Sequence, residues 1–386
     1  MKLEGLTVVD LTQFLPGPVL TLMMADHGAR VIKLETPGGS EPTRGFPPKQ
    51  GPHAEYFRHT QRGKLGLTLD LKQAEAREAF LRLCERADVV VESFRPGTVD
   101  RLGIGPDAAR ARNPRLVYCS LSAFGQSGPW RDRVAHDLAV EAMSGFLPFG
   151  RDSSGKPNLP QMVASDIAAS LTALAGIMMA LYRRERTGRG DRLDIAMYDS
   201  TMAWAVNVAG SVFVEGRPTD PARHRTLGGH AFYNVYACKD GRHVALGGSE
   251  HKFVENLLRA LGRPDLIPTA LKLPGPEQQP VKDFLTATFA GRSRAEWIEW
   301  FQDKDVAFAP VLDMKEALEH ELAQARGMVF GDEEGRQWLG TPIKFADEPG
   351  KPATQPPEPG QHTKAILAEL GYSESQIAAL AAKAAI

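Results

Sequence analysis

Alternation of strand-like and helix-like runs over the first 121 residues constrains the fold more than any other feature of this chain. Thr7 to Leu11 is a short β-rich run. Residues 18–29 form an apolar helix opened by Pro16-Gly17-Pro18, and residues 31–35 are the next strand, which makes a βαβ unit. Residues 37–63 read as a Gly/Pro-rich loop long enough to suggest a functional role. A strand at 65–69, a charged amphipathic helix at 73–86 and strands at 88–91 and 116–121 continue the series. This pattern predicts the α/β class, with a doubly wound, mostly parallel sheet covered by helices on both faces.

At 386 residues the chain exceeds one small core, and two domains are expected. A helix from Asp166 stops at a basic last turn followed by Gly188, and a second apolar helix covers 199–214. Composition then shifts. A hairpin is expected at 232–237 and 243–247 around Lys239-Asp240-Gly241, followed by helices at 250–261 and 281–289. Another helix starts at Arg294, capped by Ser293 with Glu296. The expected division is a large α/β domain at 1–215, a smaller α+β domain at 225–325, and a segment at 330–386 that returns to the large domain. That segment holds a Pro-rich linker at 349–360 and a helical tail at 363–385 interrupted at Gly371.

A formal charge of −1 argues against a nucleic-acid binder. Cys84, Cys119 and Cys238 are scattered, without metal-ligand spacing, and read as buried thiols in a reducing compartment. No metal site is expected. The N-terminus runs into a strand without a signal-peptide core, so a cytoplasmic location is expected. The longest apolar stretch, 167–182, is shorter than the roughly 20 residues of a membrane span and reads as a buried helix, so no membrane association is expected. The first βα turn, Gln13 to Pro18, lacks the G-x-G-x-x-G fingerprint, and a nicotinamide or flavin cofactor is unsupported.

Three residues carry candidate proton chemistry. His136 and Asp166 each open an apolar helical stretch, thirty positions apart, and Glu250 follows a strand and Gly247-Gly248. An imidazole and a carboxylate on opposite sides of a carbon can take a proton from one face and return it to the other. A second carboxylate can orient the imidazole. Each residue also has a plainer reading. His136 would be a structural helix-start residue, Asp166 a dipole-complementing acid and Glu250 a solvated first-turn acid.

Taken in order, the motifs carry a resemblance. The run from Leu3 to Leu11, then Pro16-Gly17-Pro18 and Ala25-Asp26-His27-Gly28-Ala29, looks like the opening of the class III CoA-transferase superfamily. Thr68-Leu69-Asp70-Leu71-Lys72, Glu92-Ser93-Phe94-Arg95-Pro96-Gly97 and Gly125-Gln126-Ser127-Gly128-Pro129 resemble its later blocks. So do Arg186-Thr187-Gly188-Arg189-Gly190 and Gly360-Gln361-His362-Thr363. The resemblance implies an acyl-CoA enzyme with a large and a small domain, built as an interlocked homodimer, with coenzyme A as part of the substrate and no other cofactor. Extended segments around 216–229 and 327–349 would bridge the domains.

Two chemistries occur in that superfamily. In its transferases the aspartate matching Asp166 is a nucleophile that accepts the acyl group. In its α-methylacyl-CoA racemases the same aspartate works with a histidine on the α-proton. Ala135-His136-Asp137 is similar to the racemase Gly-His-Asp, and Glu250 to the glutamate that supports the histidine. By contrast, residues 141–145 and 367–373 look more like transferases, and Val140 replaces a racemase tyrosine. A 2-methylacyl-CoA racemase is the expected activity, with a CoA-transferase acting through Asp166 as the alternative. The amide of Asp137 is a candidate donor to the enolate oxygen. For coenzyme A the resemblance carries over Phe14, Leu69, Lys72, Phe94, Arg101 and Leu102, with Arg95 beside them. Thr36 stands where a phosphate-binding arginine is usual, leaving Arg44 and Arg62 as substitutes.

Overall fold

The computed structural model describes residues 1–152 and 154–386. The chain divides into two compact units. One comprises 1–147, 159–204 and 321–386, and the other comprises 148–158 and 205–320. The division at 204/205 falls inside the helix expected at 199–214. That stretch is interrupted by a 3-10 turn at Ala203–Ala205, between helices Met197–Met202 and Val206–Glu215.

The larger unit is built on six parallel strands: β1 (Thr7–Leu11), β2 (Arg30–Glu35), β3 (Leu65–Thr68), β4 (Val89–Glu92), β5 (Val117–Ser122) and β6 (Arg192–Ala196). Their order in the sheet is β3-β2-β1-β4-β5-β6. In such an order the connections leave β1 and β4 in opposite directions, which opens a crevice at the carboxyl ends of these two strands where ligands bind. Both faces are buried, so alternate residues feed different cores. Val9, Ile32 and Val90 pack with Phe80 and Leu83 of helix α2 (Ala74–Arg86) and with Ile366 and Leu380 of the C-terminal helices. Val8, Val31 and Val89 face the other side, against Leu20 and Met24 of α1 (Pro16–Asp26) and Ala173 and Ile177 of the helix Ala164–Thr187. Cys84 and Cys119 lie buried and free in these two cores, one in each.

The structure adds to and corrects the sequence reading of this unit. Residues 37–63 are not one loop. They hold a 3-10 turn at Pro42–Gly45, a two-residue hairpin and the helix Glu55–Gln61. Strand β6 joins the sheet edge beyond β5. The helix expected from Asp166 to the turn at Gly188 spans Ala164–Thr187, and although the apolar stretch 167–182 reads as too short for a membrane span, the whole 24-residue helix, with a mean hydropathy of 1.6 over its best window, is long and apolar enough to cross one. Here the face of Ala169, Ala173, Ile177 and Leu181 is spent on the sheet.

In the smaller unit, β7 (Tyr233–Ala237) and β8 (His243–Gly247) form the antiparallel hairpin, and an edge strand at Phe308–Pro310 completes a three-stranded sheet. The helices His251–Ala260, Gln279–Phe289 and Arg294–Phe301 bury Leu257, Phe289 and Trp297 against it. Ser293 and Glu296 form the expected capping box. The stretch expected to be extended at 327–349 contains a hairpin, Val329–Gly331 with Gln337–Leu339, whose Trp338 is buried.

Candidate functional site

The loop after β1 rests on a buried ionic scaffold. Asp10 pairs with Lys64 at 3.0 Å, and Lys33 pairs with Glu41 at 3.0 Å, all four fully buried. Burial opposes charge on Asp10. Lys64, Lys33 and the hydroxyls of Thr12 and Thr21 outweigh it and hold the carboxyl below its usual range. Glu41 Oε1 accepts the backbone N–H of Phe14 at 3.1 Å, and the Lys33 ammonium donates to the Thr12 carbonyl. Phe14 is thereby kept at φ +63°, a conformation uncommon for a side chain of its size. Gly17 lets α1 start this close to the loop, since a Cβ there would fall 2.2 Å from the Thr12 side chain.

Phe14 meets His136 edge-on, with ring centroids 5.5 Å apart. His136 is the N-cap of helix α3 (Asp137–Ser144), and its imidazole makes no cap hydrogen bond. The N–H of Asp137 is the first of that helix, where the helix itself supplies no acceptor. The Asp137 carboxylate turns instead to helix α4 (Ala164–Thr187), accepting the N–H groups of Ser165 at 2.8 Å and Asp166 at 3.1 Å. Glu141, one turn along α3, accepts the N–H of Ala164 at 3.0 Å. Two carboxylates thus cap α4 where its own N-cap residue, Val163, cannot.

Asp166 therefore sits at a helix N-terminus whose donors are already taken. Burial, then the charges of Asp137 and Glu141, push its carboxyl up to about 7. Glu141 is raised as well, by burial and then by Asp137. Asp166 in turn acts on Tyr56, whose hydroxyl is pushed up to about 12, chiefly by burial. Tyr56 reaches this region through Phe46, at ring distances of 6.0 Å and, from Phe46 to Phe14, 6.5 Å.

His136 and Asp166 line one cavity of about 190 Å³ together with Gln13, Phe14 and Ser93. It lies at the β1/β4 crevice that the strand order predicts. A neighbouring cavity of about 360 Å³ is lined by Leu69, Lys72, Phe94, Arg101 and Leu102, and Gln13 borders both. Its walls are largely apolar, with the cations Lys72 and Arg101 at hand and the carboxylates of Asp70 and of Glu35, the latter paired with Arg44, also on its lining; the apolar walls suit a flat base and the two cations its phosphates. Glu92 shapes this region. Its buried carboxyl, pushed up to about 7 mainly by burial, accepts the N–H of Phe94 at 2.8 Å. Arg95 lines a third cavity, of about 640 Å³, which also reaches His136.

Some expected residues lie elsewhere. Arg62 is buried and bound to Asp26 at 2.5 Å, and Arg44 to Glu35 at 2.6 Å with its guanidinium over the Phe57 ring, so both are committed to structure rather than to phosphates. Val140 is fully buried in the core. Glu250 belongs to the smaller unit, exposed at the start of the helix His251–Ala260, where its carboxylate makes no cap hydrogen bond. Tyr56 and Glu141 are not legible as site residues in the sequence, because their approach to Asp166 depends on tertiary packing. Their only local signal is a tyrosine inside the 37–63 segment and a second acid one turn after Asp137. A separate groove of about 410 Å³ between α2 and the last helix is lined by Glu75, Arg82 and Lys383 and offers no nucleophile or base beyond paired surface charges.

A largely apolar slot bordered by two cations thus adjoins, at Gln13, a cavity lined by an acid and an imidazole. The chain belongs to CoA-transferase family III, whose model matches residues 3–363. It is 33% identical over 381 residues to the α-methylacyl-CoA racemase of Homo sapiens, covering 98% of this chain and 95% of that protein. It is 34% identical over 364 residues to the acetyl-CoA:oxalate CoA-transferase of Acetobacter aceti, covering 90% and 92%. The crystal structure of a CaiB/BaiF family protein from Brucella suis superposes with a TM-score of 0.81 at 29% identity, over 95% of this chain and 99% of that one.

Proposed function

We propose that this protein is a 2-methylacyl-CoA racemase, in which His136 and Asp166 exchange the α-proton of a CoA thioester between its two faces. The observation that carries this reading is the raised carboxyl of Asp166 in a cavity it shares with His136. An acid poised near neutrality gives and takes a proton readily, and an imidazole is its counterpart. A nucleophile, by contrast, works as the carboxylate, which the surrounding acids disfavour. Thioester binding would place the adenine moiety against Phe94 and Leu102, the phosphates near Lys72, Arg95 and Arg101, and the pantetheine along Gln13 and Phe14. The N–H of Asp137 would receive the enolate oxygen. Glu250 would orient the imidazole within a homodimer. No cofactor enters beyond the coenzyme carried by the substrate, and the reaction would run in the cytoplasm without membrane association.

The alternative is a CoA-transferase in which Asp166 is acylated. It has support in the likeness to the oxalate transferase. The two separate in one experiment. Incubating an (R)-2-methylacyl-CoA in heavy water should place deuterium at the α-carbon without loss of CoA. Acyl exchange with free acids, or a stoichiometric Asp166 adduct trapped by hydroxylamine, would establish the transferase instead. His136→Ala should lower α-exchange by about 10²–10⁴-fold with CoA binding retained. Full exchange in that variant would exclude the mechanism.

A further inference from the structure

Three acids are buried near the carboxyl ends of β1, β2 and β4. Asp10 is paired with Lys64 and Glu35 with Arg44. Glu92 is equally buried, but among the described residues it has no ion pair. Its Oε2 accepts the Phe94 N–H at 2.8 Å, and the Ser120 hydroxyl of β5 and the charge of Arg192 on β6 also favour its ionised form. Asp100, on the helical turn Thr98–Arg101, opposes it. From β5, Tyr118 and Cys119 are both raised by burial and stay uncharged, and the Tyr118 hydroxyl is committed to the Ile104 carbonyl at 3.2 Å. Burial outweighs the favourable contacts and pushes the Glu92 carboxyl up to about 7.

Glu92 also belongs to the foundation of the 360 Å³ slot. Parallel partners in a sheet share a face, and the partner of Glu92 in β1 is the uncharged Leu11, which lines the slot. Two residues beyond Glu92, Phe94 lines it from the loop, followed by Thr98, Arg101 and Leu102. That loop turns tightly. The Thr98 N–H donates to the Arg95 carbonyl at 3.0 Å, and Gly97 takes φ +78°, which glycine adopts freely. The bond from Phe94 to Glu92 ties the start of the loop to the sheet. A protonated carboxyl keeps a carbonyl oxygen that accepts an N–H, so the tie holds in both charge states. A base laid against Leu11 and Phe94 would remove water from above the carboxyl, and a diphosphate at Lys72 and Arg101 would bring negative charge. Both disfavour the carboxylate. By linkage, a proton on Glu92 then strengthens nucleotide binding by the same factor as the nucleotide strengthens the proton's.

We propose that Glu92 is a positioning residue for the coenzyme: it fixes the Phe94 loop at the slot and takes up a proton when an anionic nucleotide occupies it. This rests on the reading that seats the adenine moiety against Phe94 and Leu102, and it adds a proton to that binding step. The proton has a second possible source in the coenzyme. The 3′-phosphate of CoA is a monoester that itself titrates at about pH 6, whereas its diphosphate stays charged. Dephospho-CoA, which lacks the monoester, is therefore the probe.

Calorimetric titration of the whole protein at pH 6 and pH 8.5 should find wild type binding dephospho-CoA about three- to tenfold more tightly at the lower pH, the effect of moving Glu92 by about half to one unit. Glu92→Gln keeps a neutral group and a carbonyl for the Phe94 N–H. It should bind at pH 8.5 as tightly as wild type does at pH 6, with the slope gone. Glu92→Leu is neutral but offers no acceptor, and should bind about tenfold more weakly than Glu92→Gln at both pH values. A wild type without a slope would overturn the proposal, and so would a slope that persists in Glu92→Gln, as titration of Asp166 would produce. Equal binding by the Leu and Gln variants would remove the positioning role. If Glu92→Leu fails to fold, wild type and Glu92→Gln still decide the matter. Wild type that does not bind dephospho-CoA at all would sink the proposal together with the seating of the coenzyme, whereas a missing slope leaves that seating intact. Titration requires no turnover, so neither failure is a failure of the racemase reading, which heavy-water exchange tests by itself.

Discussion

Asp137 caps the helix that delivers Asp166, its Oδ1 accepting the backbone N–H of Asp166 at 3.1 Å and that of Ser165 at 2.8 Å. A helix N-terminus ordinarily favours a nearby anion. Here that preference is spent on Asp137 and Glu141, and Asp166 meets their charge instead of bare donors. The same contact therefore fixes where Asp166 stands and raises its proton affinity.

Glu141→Gln tests this directly. A glutamine carbonyl can still accept the Ala164 N–H, so the cap survives while one negative charge disappears. The limb of the pH–rate profile that belongs to the His136–Asp166 pair should move down by roughly one unit. Maximal rate would change less than the profile. An unmoved profile in a folded, active variant would mean that Glu141 has no hold on Asp166.

Asp166 itself should cost stability above neutrality. Its folded value of about 7 lies above the ordinary 3.8, so between those values the native state holds more protons than the unfolded chain. Stability attributable to this group then falls as pH rises through that window. Asp166→Asn should be inactive yet more stable than wild type at pH 8, by on the order of 2 kcal/mol after allowance for partial exposure, with the gain fading toward pH 4. Urea denaturation at the two pH values measures it. A variant less stable than wild type at pH 8 would contradict the raised carboxyl.

What the sequence discloses and what it hides follow from range. The capping box at Ser293 and Glu296 and the hairpin at Tyr233–Gly247 are local, and both are legible from neighbouring residues. Strand β6 is not. Arg192-Leu193-Asp194-Ile195-Ala196 mixes charges into a half-exposed edge strand, and only pairing with β5 defines it. The helix Glu55–Gln61 has no apolar stripe. It is fixed by tertiary contacts such as the Arg58 guanidinium over the Trp338 ring, 280 positions further along. Likewise His136 and Asp166 stand out by motif, whereas Tyr56 and Glu141 join the site only once the chain is folded.

The buried pair of Asp10 and Lys64 supports the Phe14 loop, and removing half of it should be worse than removing all of it. Burial draws Lys64 down to about 8 even with Asp10 beside it, so a lone ammonium in that place would be poorly tolerated. Asp10→Asn should cost about 3–5 kcal/mol, whereas Asp10→Asn with Lys64→Met should recover much of that loss. Because Asp10 lies below its ordinary range when folded, its contribution is in place above about pH 4 and is lost as pH falls further. Equal destabilisation by the single and double variants would show that the pair is not coupled.

Assembly provides the final prediction. Phe213 and Val214, at the end of the helix Val206–Glu215, are 85% and 88% exposed on the single chain, and Val206 is 83% exposed. Leaving such side chains in water forfeits burial worth about 1.5–3 kcal/mol each and invites association. On the proposal of a homodimer these residues are covered by the second copy. Replacing Phe213 and Val214 together by Asp should then weaken the dimer, because burying unpaired carboxylates against an apolar surface is costly. Sedimentation velocity at nanomolar protein should find wild type at twice the chain mass of 42.1 kDa and the double variant shifted toward lower mass or unfolded. A wild-type protein that sediments as a folded monomer would remove the dimer, and with it the proposed route by which Glu250 serves His136.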